Sequence, residues 1–140
     1  MLKRYLGAYV VVHGHQPYAQ YMETIRHCDL FLNPFPFGNT NGIVDTVSAG
    51  LAGVCRTGRE VHEHIDQGLF GRLGLPDWMV AKTTEDYVAA AVRLVDDEDE
   101  RLRLRRELIA QQSIGRLFAG RPEIFGERVL ALLDARVPAA

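Results

Sequence analysis

The sequence predicts an α/β fold, a parallel sheet flanked by helices. Three observations carry this. Short apolar runs and stretches of helical periodicity alternate four times along the chain, as a parallel sheet with crossover helices requires. At 140 residues the chain fits one domain, and a chain of this size buries roughly 65–70% of its unfolded surface. Hydrophobic residues make up 47% of it and the formal net charge is only −2, which excludes a disordered chain.

The first apolar run, Ala8-Tyr9-Val10-Val11-Val12, is rich in β-branched residues and bounded by Gly7 and Gly14, so it reads as a buried strand. Pro17 suits the first turn of a helix running to about Cys28. Asp29 to Asn33 reads as a second strand, stopped by Pro34 and Pro36. A loop over Pro34 to Asn39 leads into a short helix from about Asn41 to Ala49, ended by Gly50. Leu51 to Cys55 is the third strand. Gly58 to Leu73 is helical, with Val61, Ile65 and Leu69 recurring every four residues on one face. Asp77 to Ala81 is the fourth strand.

From Thr83 the pattern is helical throughout. Thr83 or Thr84 followed by Glu85 and Asp86 marks a helix start, and Val88, Ala91, Val92 and Val95 form its apolar stripe. The acidic run Asp96 to Glu100 interrupts that helix, and Arg101 to Gln112 resumes it. A last helix spans Pro122 to Arg136. These final helices have no strands to alternate with and are expected over one face or edge of the sheet. No internal repeat or linker divides the chain, so residues 1–140 form a single domain.

Composition removes several function classes. Sixteen basic residues against 18 acidic ones give no electrostatic case for nucleic acid or an anionic membrane. No apolar run approaches the ~20 residues of a membrane span, and the start lacks the features of a signal peptide. Two cysteines are too few for a disulfide framework or a zinc site. A cytoplasmic globular domain is the expected setting.

Chemistry in an open parallel sheet sits beyond the carboxyl ends of the strands, near helix N-termini. After the second strand run Pro34-Phe35-Pro36-Phe37-Gly38-Asn39-Thr40-Asn41-Gly42-Ile43-Val44-Asp45. Gly38 and Gly42 let backbone approach a ligand. Asn39, Thr40 and Asn41 offer amide, hydroxyl and backbone N–H donors at the positive end of a helix, which suits a phosphate. Asp45 lies four residues beyond Asn41 on the same helical face, where its carboxylate can accept hydrogen bonds from a ribose diol. The plainer alternative is that the polar residues cap a helix and Asp45 favours its dipole. The segment is neither a Walker loop nor Gly-x-Gly-x-x-Gly.

Asn33 to Asp45, with Gly53 to Gly58, Glu60 to Asp66, Gly68 to Phe70 and Arg72 to Pro76, resembles the bacterial cytoplasmic N-glycosyltransferases that modify high-molecular-weight adhesins. These are relatives of O-GlcNAc transferase with two Rossmann-like domains, the GT-B arrangement. The resemblance runs from about Tyr5 to the C-terminus and implies the donor-binding, C-terminal half of such an enzyme. It implies UDP-glucose, or UDP-galactose, as donor, transfer to Asn in Asn-x-Ser/Thr sequons of an adhesin-type acceptor, and neither prosthetic group nor metal. Asn41 matches the family's asparagine near the diphosphate and Asp45 its ribose-binding aspartate. Asn39, Thr40 and Gly42 occupy the phosphate turn, and His15, Pro17 and Tyr18 match a loop near the uracil or diphosphate.

Other polar residues read as structural. Asp96 to Glu100 lacks the strand and glycine turn of a metal-binding Asp-x-Asp and is a solvated helix junction. His62 and His64, two apart, point to different sides of a helix and cannot chelate together; structural packing and the lining of a substrate cleft both fit them. His27 belongs to a helix surface or core edge, and His13 is expected as a buried strand-end histidine. Cys28 and Cys55 read as small core residues, and Trp78 as packing under the sheet edge. Complete members of the family carry a helical region and a first Rossmann-like domain, and none of these precedes Met1. A missing N-terminal half is therefore an expected partner, and no catalytic base is assigned. A partial gene product, a shortened form and one half of a split enzyme all fit, as does a non-catalytic nucleotide-binding remnant or an O-linked transferase.

Overall fold

The computed structural model describes residues 2–135. Three parallel strands, β1 (Phe31–Leu32), β2 (Gly53–Arg56) and β3 (Val80–Ala81), lie side by side in that order. Phe31 pairs with Gly53 and Leu32 with Val54, while Cys55 pairs with Val80 and Arg56 with Ala81. Backbone bonds from Asn33 to Val54 (3.0 Å) and from Thr57 to Ala81 (2.8 Å) carry the ladders one residue past each strand end.

Helices make the crossovers that parallel pairing needs. Helix α1 (Leu2–Leu6) and a 3-10 turn (Gly7–Tyr9) precede α2 (Tyr18–Arg26); α3 (Thr40–Ser48) joins β1 to β2, and α4 (Val61–Leu73) joins β2 to β3. A 3-10 turn (Asp77–Met79) leads into β3, and α5 (Thr84–Asp96), α6 (Glu98–Ala110), α7 (Ser113–Phe118) and α8 (Pro122–Asp134) follow. The local signals at helix starts hold: Thr83 Oγ1 accepts from the Asp86 amide at 3.0 Å, and Asp97 Oδ1 from the Glu100 amide at 2.9 Å. Pro122 opens α8. The last residue expected in that helix, Arg136, lies outside the described residues.

The core forms around β2, whose Val54 and Cys55 are fully buried together with Ile43, Phe70, Met79 and Leu94. A smaller cluster, Met22, Ile25, Ala49 and Leu51, seats α2 against the end of α3.

The alternation of strand and helix therefore holds, with three strands among the described residues and not four. The run Ala8 to Val12 is no strand. Ala8 and Tyr9 belong to the 3-10 turn, with Tyr9 98% exposed, and the rest is irregular, with Val10 half-buried and Val11 77% exposed. A β-branched run is only a readiness to pair, and no described strand lies beside it. The fourth expected strand shrinks to Val80–Ala81, and the expected Gly58 start of α4 moves to Val61. Helix α7 and the first helical residues are absent from the expected pattern.

Two helix faces are also turned from their expected positions. In α4 the buried side chains are Asp66, Phe70 and Leu73; of the expected row only Leu69 packs partly against the core, while Val61 and Ile65 are exposed. In α5 they are Tyr87, Ala90 and Leu94, while Val88, Val92 and Val95 face outward. Each helix carries two apolar rows, and the sheet takes the row with the larger ring or leucine, which removes more apolar surface from water. Cys28 is exposed and not a core residue, and His13 is exposed and not a buried strand end. Cys28 lies just past the last turn of α2, where its thiol donates to the Thr24 carbonyl, and His13 lies in the irregular stretch before α2. Cys55 is buried, as expected, and desolvation pushes its thiol up to about 12. Trp78 is half-buried beneath the Arg93 guanidinium, 4.0 Å from its ring centroid.

Candidate functional site

The turn after β1 lies at the carboxyl end of the sheet and runs directly into α3. Asn39 precedes the helix and supplies no side-chain cap, while its carbonyl accepts from the Ile43 amide at 2.9 Å. The first amides of an α-helix have no intrahelical partner and carry the positive end of its dipole. Thr40 and Asn41, in the first turn, are exposed, and Gly42 beside them is buried. A Cβ at Gly42 would collide with the Asn39 side chain, and one at Gly38, where φ is +72°, with the Asp66 carboxylate. Gly38 is thus fixed by close approach to a buried carboxylate and by its left-handed backbone, whereas at Gly42 the exposed Asn39 side chain can swing aside.

Asp45 is half-buried one turn along α3, and the Tyr18 hydroxyl donates to its Oδ1 at 2.8 Å. That bond, more than any other cause, raises the Tyr18 phenol above its usual range, because the neutral phenol is the donor. Tyr21 is raised first by burial and then by the Asp45 charge. The structure therefore brings the start of α2 to Asp45. His15 sits exposed in the irregular stretch before α2, three residues ahead of Tyr18, and no hydrogen bond among the described residues ties it to the α3 turn.

Around the turn lies a brace that the sequence does not announce. The Tyr87 hydroxyl donates to the Asn33 carbonyl at 2.9 Å. Phe35 packs edge-on against Tyr87, with ring centroids 5.2 Å apart, and the Arg56 guanidinium lies over the Phe35 ring, 4.8 Å from its centroid. Phe37 stacks on His62 at 4.9 Å. Asp66, 3% exposed, accepts from the Asn33 side-chain amide and, at 3.2 Å, from the Asn39 backbone N–H. Burial raises its carboxyl above the usual carboxylate range, opposed by those two donors. Asp66 could have been found in the sequence: it falls four and seven residues before Phe70 and Leu73, which places a carboxylate on the buried row of α4.

His62 and His64 do diverge. His62 meets Phe37, whereas His64 lies 3.3 Å from Thr57 Oγ1 on the side of Gln67. Among the described residues no group of three or more His, Cys, Asp or Glu side chains is placed to hold a metal ion. The junction Asp96 to Glu100 is a helix start, with Glu100 paired to Arg103 at 2.8 Å.

A small parallel sheet with helical crossovers, a polar turn at the head of a helix and a carboxylate one turn further on make an α/β unit of Rossmann-like type. Known proteins sharpen that class. Over 134 residues, 96% of its length, the chain is 53% identical to the UDP-glucose:protein N-beta-glucosyltransferases of Actinobacillus pleuropneumoniae serotypes 5b and 7. It spans 22% of the length of those relatives. The fold is shared with a mutant of the Thermobaculum terrenum O-GlcNAc transferase, at a TM-score of 0.66 and 22% identity, over 73% of this chain and 19% of that one. No protein-family model matches the chain. The resemblance read from residues 33–76 and the Rossmann-like α/β fold both hold.

Proposed function

We propose that residues 1–140 form a single, incomplete nucleotide-sugar-binding domain, the donor half of a GT-B glycosyltransferase that transfers glucose from UDP-glucose to protein asparagine. The observation that carries this is the α3 turn, with its unpaired helix-end donors and Asp45 one turn on, in a chain 53% identical to UDP-glucose:protein N-beta-glucosyltransferases. Asn39, Thr40, Asn41 and Gly42 hold the diphosphate, Asp45 the ribose diol, and His15 lines the base side of the pocket. UDP-galactose is the other donor this pocket would take.

The chemistry follows from the leaving group. As the bond between the sugar's anomeric carbon and the β-phosphate oxygen breaks, negative charge grows on UDP, and the fixed N–H donors and dipole of α3 stabilise it. No divalent ion is required for that role. The acceptor is the side-chain amide of an Asn-x-Ser/Thr sequon in an adhesin-type protein, and the residue that activates it belongs to the remaining length found in the relatives. The Cys28 thiol, exposed and unpaired, favours a reducing, cytoplasmic setting. No helix among the described residues is long and apolar enough to cross a membrane.

A second reading is a domain that binds the nucleotide without turning it over. An O-linked acceptor is a third. Calorimetric titration of UDP and UDP-glucose into the chain, with Asn41→Ala and Asp45→Ala as controls, tests the donor site. Saturable binding lost in both variants is expected, and a folded chain that binds neither nucleotide overturns the proposal. Sequon peptides carrying Asn or Gln, offered to the chain joined with the remaining length of a relative, separate N-linked from O-linked transfer.

A further inference from the structure

Asp66 is a costly residue for its place. A carboxylate 3% exposed loses most of its hydration, and its Oδ1 finds no hydrogen-bond partner. An apolar side chain of similar volume would suit the same row of α4, beside Phe70 and Leu73, at lower cost. What Asp66 does is specific. Its Oδ2 takes both the Asn33 side-chain amide and the Asn39 backbone N–H, which stand at the two ends of the loop 34–38. One atom of α4 therefore joins the end of β1 to the residue before α3. The loop is shaped around that atom: Gly38 has no Cβ, and a Cβ there would strike the carboxylate.

We propose that Asp66 is a positioning residue for the nucleotide-sugar turn, fixing Asn39, and through it the first amides of α3, against the end of the sheet. The proposal rests on the donor-site reading above, because Asp66 touches no ligand itself and acts only through the turn. Losing the acceptor for this part-buried N–H lets the turn move, and an error of about an ångström in donor placement is enough to weaken a bound anion severely.

The test compares Asp66→Asn and Asp66→Ala in the whole chain, reading UDP affinity by calorimetry, stability by urea, and the Asn39 and Thr40 amides by two-dimensional NMR. Asp66→Asn keeps one oxygen for both donors and can offer its amide to Asn33 Oδ1, which has no partner. It is expected to bind UDP within about threefold of the native chain, whereas Asp66→Ala weakens binding about tenfold or more. In Asp66→Ala the Asn39 and Thr40 amide signals shift while those of α6 stay in place. Should Asp66→Ala not fold, Gly38→Ala presses on the same contact without emptying the core and is expected to lower affinity as much. A folded Asp66→Ala with native UDP affinity overturns the proposal, as does an Asp66→Asn as weak as Asp66→Ala. If the native chain binds no UDP, the donor-site reading fails by itself. An unmoved Asn39 amide in Asp66→Ala then overturns the clamp as well.

Discussion

Replacing Asp45 with alanine separates a residue kept for a ligand from one kept for the fold. In the structure its carboxylate makes one side-chain hydrogen bond, from the Tyr18 hydroxyl at 2.8 Å, and Tyr18 is 65% exposed. A hydrogen bond so open to water contributes at most about 0.5–1 kcal/mol. The apolar contacts that hold α3 come from Ile43 and Val47, which the substitution leaves untouched. The urea midpoint is therefore expected to move little. Binding should change much more. A carboxylate accepting from a ribose hydroxyl is a charge-assisted bond worth about 1.5–3 kcal/mol, or roughly 10- to 150-fold in Kd. Calorimetric titration with UDP measures this directly, alongside Tyr18→Phe, which breaks the same intramolecular bond but keeps the carboxylate and should bind at least as tightly. Native affinity in a folded Asp45→Ala chain would refute the ribose role, and a large loss of stability would show Asp45 to be structural.

Further consequences follow from other parts of the structure. A chelator should leave UDP affinity unchanged, and a strict divalent-metal requirement in the same titration would contradict the proposal that the site works without a metal. Phe70→Ala, which empties a fully buried position where the ring meets Phe31 edge-on at 6.0 Å, should cost about 3–5 kcal/mol in urea unfolding. Glu63 accepts from the Glu60 and Arg59 amides at 3.0 and 2.9 Å, and the Glu60 bond above all lowers its carboxyl from the usual range. A lowered folded-state pKa gives stability that is present above the unfolded value and lost as pH falls through the folded one. Glu63→Gln should therefore flatten part of the fall in stability below about pH 4.5, measured as urea midpoint against pH. An unchanged acid limb would show that this cap contributes nothing.

Sequence alone determined what depends on neighbours along the chain. The alternation of apolar runs and helices, the starts at Thr83 and Pro122, the break at Asp97 and the polar turn from Gly38 to Asp45 are local, set by backbone preference, capping chemistry and the reach of short side chains. Tertiary structure decided what depends on who stands opposite. Val10 to Val12 have every local qualification for a strand and form none, because a strand needs a partner's hydrogen bonds. Helices α4 and α5 each offer two apolar rows one residue apart, and only the sheet chose the rows led by Phe70 and by Tyr87 with Leu94. The same choice carried Asp66 inward, to meet Asn33 and Asn39, residues 33 and 27 positions away along the chain. Periodicity marks which side chains can share a face; burial of the larger apolar surface decides which face turns inward, and with it which polar group is taken along.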